Sequence, residues 1–152
     1  MELFSNGDLF IGSYKNGKFD GKGKYFWSNG SAYVGNFVDG NREGEGKWIS
    51  NIIDGDIYVG LYKRDKKEGK GKYIWNKGCV FEGSFKADLK HGDGRVHYQD
   101  GKEVKGLWEY GKLKTIFKSE IETQSNLHSQ ASLEIEPRIR PNMPRIVETP
   151  SK

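Results

Sequence analysis

Large residues and glycines alternate along residues 7–113 in a pattern that recurs five times. Each copy opens at a glycine, Gly7, Gly30, Gly55, Gly78 or Gly101, at spacings of 23, 25, 23 and 23. Three residues on stands Phe10, Tyr33, Tyr58, Phe81 or Val104. Two further is Gly12, Gly35, Gly60, Gly83 or Gly106, and two further again is Tyr14, Phe37, Tyr62, Phe85 or Trp108. Large, glycine, large at every second position predicts a strand with one face specified. The second half of the copy opens with Gly-x-Gly, at Gly21 and Gly23, Gly44 and Gly46, Gly69 and Gly71, and Gly92 and Gly94. It continues with Tyr25, Trp48, Tyr73 or Val96, and then Trp27, Ser50, Trp75 or Tyr98. The period is again two, so each copy predicts strand, loop, strand. A glycine on the specified face leaves room for a bulky side chain of a neighbouring strand. The expected core is a ladder of aromatics on glycines, with Trp27, Trp48 and Trp75 among its rungs. A short fixed period of this kind indicates stacked supersecondary units.

Turn chemistry agrees with this division. Asn6-Gly7, Asn29-Gly30, Asp54-Gly55 and Asp100-Gly101 separate the copies and predict tight hairpin turns, with Lys77-Gly78 as the irregular member. The insertion Asn51-Ile52-Ile53 accounts for the longer spacing and predicts a protruding turn whose isoleucines are a candidate contact point. Phe4 falls in the Trp27 column, so Met1–Phe4 predicts a truncated strand capping the first hairpin.

The run Tyr33-Val-Gly35-Asn-Phe37-Val-Asp-Gly40-Asn-Arg-Glu-Gly44-Glu-Gly46 resembles the MORN repeat (membrane occupation and recognition nexus), roughly Y-x-G-x-W-x-x-G-x-x-x-G-x-G. The resemblance covers residues 7–113 in phase, as four copies and a half copy. It implies an all-β fold, an elongated single-layer antiparallel sheet of stacked hairpins over residues 1–118, followed by a mostly extended tail over 119–152. It implies a non-catalytic scaffold or protein–protein interaction subunit, cytoplasmic, in a cytoskeletal assembly or a ciliary axoneme, similar to radial spoke head components. Family members that carry lipid-kinase or methyltransferase domains suggest a further reading, an accessory subunit that targets an enzyme in trans. Asp65 and Asp88 depart from the pattern where Gly17, Gly40 and Gly111 stand, a change that a left-handed turn tolerates. The fifth copy lacks Gly-x-Gly, which predicts an unpaired sheet edge after Trp108, open to a second copy of the chain or to cover by the tail.

Composition sharpens the boundary. Only 34% of the 152 residues are hydrophobic, yet 13% are aromatic, which suits a thin sheet better than a thick aliphatic interior. All 21 glycines lie within 7–111 and no aromatic follows Phe117, so the composition breaks near residue 118. The four prolines, Pro137, Pro141, Pro144 and Pro150, all follow residue 136. Residues 120–135 predict at most one marginal helix, with Leu127, Ala131 and Ile135 on one side. Pro137-Arg138-Ile139 and Pro144-Arg145-Ile146 make Ile139, Met143 and Ile146 candidates for docking an extended tail on a partner. The net charge of +4 is spread over a mixed surface and does not point to nucleic acid. Cys79 alone cannot form a disulfide within the chain, which fits a reducing compartment. No apolar run is long enough to span a membrane as a helix, and the N-terminal residues do not read as a secretion signal.

Candidate chemistry is sparse. Gly12 to Phe19 is a near miss to a phosphate loop, with Phe19 where a magnesium-binding hydroxyl belongs, and the same near miss recurs at Gly106–Lys112. His91, His97 and His128 lack the companions of a metal set, and a His97 pairing with Ser84 or Ser13 lacks a third member. No cofactor is expected. Asp20, Glu43 and Glu68 share a column before Gly-x-Gly, which favours loop support over acid–base work. The basic column is more informative. Lys24, Lys47, Lys72 and Arg95 each follow Gly-x-Gly and point away from Tyr25 and Trp48, beside Phe26, Ile49, Ile74 and His97. Cations about 10 Å apart along an apolar column make an amphipathic stripe suited to an acidic-apolar protein segment or, alternatively, an acidic phospholipid surface. Lys22, Glu45, Lys70 and Asp93 alternate in sign beside it and weaken the field. Tyr62, Phe85 and Trp108 are expected to serve as rungs and in part as exposed contact residues, because one sheet cannot bury both faces.

Overall fold

A computed structural model describes residues 1–117. They form one open antiparallel sheet of eleven strands whose spatial order follows the sequence. A short β1 (Glu2–Leu3) is followed by five hairpins: β2 (Leu9–Lys15) with β3 (Lys18–Phe26), β4 (Ala32–Val38) with β5 (Asn41–Ile49), β6 (Ile57–Lys63) with β7 (Lys66–Ile74), β8 (Val80–Lys86) with β9 (Leu89–His97), and β10 (Glu103–Glu109) with β11 (Lys112–Ile116). The repeat period thus becomes a pairing rule in which every strand bonds to its sequence neighbours and no crossover occurs. Residues 118–152, including Ile139, Met143 and Ile146, lie outside the described residues.

Two details correct the sequence reading. The two-residue turns lie inside the copies. Asn16 and Gly17 both take positive φ (51° and 75°), and so do Ala87 and Asp88 (47° and 72°), the signature of a type I′ hairpin. The joints between copies are three-residue loops instead. The Gly30 N–H donates to the Trp27 carbonyl at 3.0 Å, the Trp27 N–H donates to the Ser31 carbonyl at 3.0 Å, and only Gly30 is left-handed. Lys77-Gly78 closes in the same way, whereas Gly55 does not become left-handed, because the inserted residues reroute that joint through Ser50 and Asp56. The second correction concerns the edge. Trp108 does not border an open edge, since β10 pairs with β11 and the last described strand is β11. The N-terminal expectation holds in part: Glu2 and Leu3 pair with Phe10 and Leu9. Ile52 and Ile53 are exposed at the inserted turn.

Left-handed Arg64 and Ala87 each cost about 1–2 kcal/mol relative to glycine. The acidic column offsets this. Glu43 accepts the Arg64 N–H and Glu68 accepts the Ala87 N–H, both at 2.8 Å, while Asp20 lies 3.4 Å from the Asp39 N–H. In the fourth copy His91 takes the same place, its Nδ1 accepting the Tyr110 N–H at 3.2 Å. These residues tie each copy to the turn of the next.

Candidate functional site

The two faces of the sheet differ in kind. On one face the first aromatic of each of the first four copies folds over the glycine two residues ahead on its own strand and over that glycine's cross-strand partner. A Cβ placed on Gly12 or on Gly23 would come within 2.7 Å of the Phe10 ring, and one on Gly71 within 2.5 Å of the Tyr58 ring. Expected neighbours therefore include the residue's own strand as well as the next. The glycine row Gly12, Gly23, Gly35, Gly46, Gly60, Gly71, Gly83 and Gly94 is a trough filled by Phe10, Tyr33, Tyr58 and Phe81. Gly21, Gly44, Gly69 and Gly92 stand opposite Phe37, Tyr62, Phe85 and Trp108 on the adjoining strands.

Edge-to-face contacts then bind copy to copy. Phe10 meets Phe37 at 5.3 Å, Tyr33 meets Tyr62 at 5.2 Å, Tyr58 meets Phe85 at 5.1 Å and Phe81 meets Trp108 at 5.1 Å. Such pairs contribute about 0.5–1.5 kcal/mol each beyond area burial. Tyr62, Phe85 and Trp108 retain only 3%, 5% and 3% exposure. The expectation that they offer contact surface is corrected: the glycines let one face of a single layer bury its own rings. Trp27, Trp48 and Trp75 are buried on the same face.

This face also holds cations that the sequence pattern did not disclose. Arg42 and Lys67 are buried, and Lys90 is half-buried. Their charges lie over rings, Arg42 at 4.9 Å from Tyr62, Lys67 at 5.3 Å from Trp48 and from Tyr58, and Lys90 at 5.3 Å from Trp75. Arg42 Nε donates to Asp65 Oδ1 at 2.7 Å and its terminal nitrogen to the Asp65 carbonyl at 2.9 Å. Burial opposes the charged guanidinium, but Tyr62 and Asp65 outweigh it and hold the pKa above its usual value. Burial pushes the Lys90 ammonium below its usual value, partly countered by Cys79. Asp65 and Asp88, which departed from the glycine pattern, keep the left-handed turn and add a carboxylate: Asp88 accepts the Lys67 N–H at 2.9 Å.

The opposite face is open, and here register brings together what sequence had kept apart. One row crosses the sheet as Ile11, Lys24, Val34, Lys47, Val59, Lys72, Glu82, Arg95 and Lys105, each the cross-strand partner of the next. Val34 and Val59 are 46% and 45% exposed, so each lies open between two cations. The adjacent row is Leu9, Phe26, Ala32, Ile49, Ile57, Ile74 and Val80, continuing through His97 to Glu103. Lys24, Lys47, Lys72 and Arg95 are exposed, and Phe26, Ile49 and Ile74 are half-buried beside them. Lys24, Lys47 and Lys72 make no salt bridge with another described residue. Toward β10 polar groups gather on Glu103: His97 Nδ1 lies 3.0 Å from its carboxylate, and Lys105 lies 3.2 Å from it. His97 thus belongs to the polar cluster around Glu103.

A family model described as the MORN repeat matches residues 10–32, 33–51, 58–80 and 81–103. The chain belongs to the MORN-repeat family. Each matched unit begins at the aromatic that covers the glycine trough, Phe10, Tyr33, Tyr58 or Phe81, and the unmatched stretch 52–57 contains Ile52 and Ile53 of the insertion. No curated protein matches the chain. MORN repeats are non-enzymatic modules that mediate protein or lipid interactions. In this MORN protein the phosphate-loop look-alike at Gly12–Phe19 is the β2–β3 hairpin, a strand–turn–strand that presents no helix N-terminus to a phosphate. Among the described residues no His, Cys, Asp and Glu cluster could hold a metal ion.

Proposed function

We propose that this MORN protein is a non-catalytic scaffold whose open face docks a protein segment that presents acidic and apolar side chains on one side. The observation that carries the reading is the row in which Lys24, Lys47 and Lys72 alternate with exposed Val34 and Val59. A partner helix with acidic and apolar side chains on one face, about 5–6 Å apart, matches both the charges and the apolar contacts across successive strands, which lie about 4.8 Å apart. Steering by the lysines raises the encounter rate, and burial of the valines slows release. The aromatic face is already closed and offers no equivalent surface.

The assembly we propose is cytoskeletal, of the axonemal or radial-spoke kind, in the cytoplasm; its support is the likeness of a short MORN sheet with a tail to such scaffold subunits. An acidic membrane is the competing ligand. Glu45, Glu82, Asp93 and Glu103 share the open face and weaken its attraction for anionic headgroups. Cosedimentation of the full chain with vesicles containing phosphatidylserine separates the two. Absence of vesicle binding, with recovery in the detergent-resistant pool of cells, supports the scaffold; vesicle binding lost in Lys47→Glu/Lys72→Glu replaces it with the lipid module.

A further inference from the structure

The open face carries a shallow groove of about 710 Å³, lined by Val59, Lys72, Glu82, Arg95, Lys105 and Phe117 among others. Phe117 reaches it because the β10–β11 pairing ends there: the Phe117 N–H donates to the Lys105 carbonyl at 2.8 Å. The described chain therefore ends inside the groove, at the end of the row of alternating cations and valines. The segment C-terminal to it has the complementary composition. Residues 119–136 contain four glutamates and no lysine or arginine, in the runs Glu120-Ile121-Glu122 and Leu133-Glu134-Ile135-Glu136. The remaining stretch, 137–152, is basic, with Arg138, Arg140, Arg145 and Lys152 against Glu148. Within the segment after Lys118, the net negative charge is thus confined to the part that leaves from the groove.

We propose that residues 119–136 of this chain are the resident occupant of its own open face. They lie over Lys105, Arg95, Lys72 and Lys47, with the four glutamates toward the cations. Reach is sufficient. From β11 to β5 is six strand spacings, about 29 Å, and eighteen extended residues span about 60 Å. A tethered occupant acts at an effective concentration on the order of millimolar, so an outside ligand must displace it. This rests on the reading above, that the open face takes an acidic-apolar segment, and adds that the protein masks that face with its own chain.

Zero-length carbodiimide coupling on the full chain at dilute concentration tests it, with mass spectrometry of the monomeric product. The expected result is amide links from Glu120 or Glu122 to Lys105 and from Glu134 or Glu136 to Lys72 or Lys47. Links spread equally over Lys15, Lys77 and Lys102, or no intramolecular links at all, overturn it. A companion measurement uses a labelled synthetic peptide of residues 119–136 as probe. It should bind the full-length Glu120→Gln/Glu122→Gln/Glu134→Gln/Glu136→Gln variant at least about tenfold tighter than it binds the native chain. Equal, measurable binding to both chains overturns self-masking and leaves the docking face standing. No binding to either chain removes both.

Discussion

On β6, Tyr58 is fully buried while the next residue, Val59, is 45% exposed. The two belong to the same strand and the same repeat, and differ in what stands across from them. Tyr58 lies over Gly60 and Gly71, which leave a trough for its ring. Val59 is flanked by Lys47 and Lys72, whose charged ends stay in water. The comparison shows how a single layer without a second sheet or a helix can hold together. One face is closed by aromatics laid flat on glycines and stitched by edge-to-face contacts. The other needs no such closure to hold the fold, since the sheet is already supported from behind.

The contrast can be broken most severely at the buried charge. Asp65→Asn keeps a residue that accepts the left-handed turn but leaves Arg42 without its carboxylate. We expect a loss of about 3 kcal/mol, read as a lower urea midpoint. A change under about 0.5 kcal/mol would mean that the rings around Arg42 hold it unaided. Next in size is Gly60→Ala, whose Cβ would meet the Gly71 backbone at 2.5 Å, where no rotamer can yield. About 2 kcal/mol is expected, against less than about 0.5 kcal/mol for Val59→Thr one residue away. Equal losses at the two positions would erase the distinction between the faces.

A smaller effect depends on pH. Burial opposes the Asp8 carboxylate, but hydrogen bonds from Tyr25, Ser28 and Asn6 prevail and lower its pKa below 3.8. A carboxylate held low in the folded state stabilises it above the unfolded value, and that contribution disappears as pH falls through the folded value. The Tm gap between the native chain and Asp8→Asn should therefore narrow as pH drops from about 5 to about 2. A gap that stays constant would show that Asp8 acts only through shape.

The hairpin units, the glycine columns and the outward lysines were legible because each rests on a period of two within one strand. The buried cations were not. Arg42, Lys67 and Lys90 occupy the column that holds Phe19 in the first copy and Leu113 in the fifth, but basic residues read as solvent-facing unless their neighbours are known. The exposed valines escaped for a related reason. Val34 and Val59 are neighbours of the lysines only through cross-strand register. The turns misled because Asn-Gly is a strong signal for a two-residue hairpin, whereas the type I′ turns include the weak pairs Arg64-Asp65 and Ala87-Asp88, held by Glu43 and Glu68 of the preceding copy.

The claim that the open face is the docking surface is tested most directly by charge reversal at matched sites. Full-length Lys47→Glu/Lys72→Glu and Lys77→Glu/Lys102→Glu change the net charge equally, the first pair on the open face and the second at the joints between copies. Each is expressed in cells and its recovery in the detergent-resistant pool is measured against the native chain, with folding checked by circular dichroism. The account predicts that the native chain and the joint variant are recovered alike and that the open-face variant falls at least about fivefold, the lower end of a 1–3 kcal/mol effect. Equal recovery of all three folded proteins would contradict it.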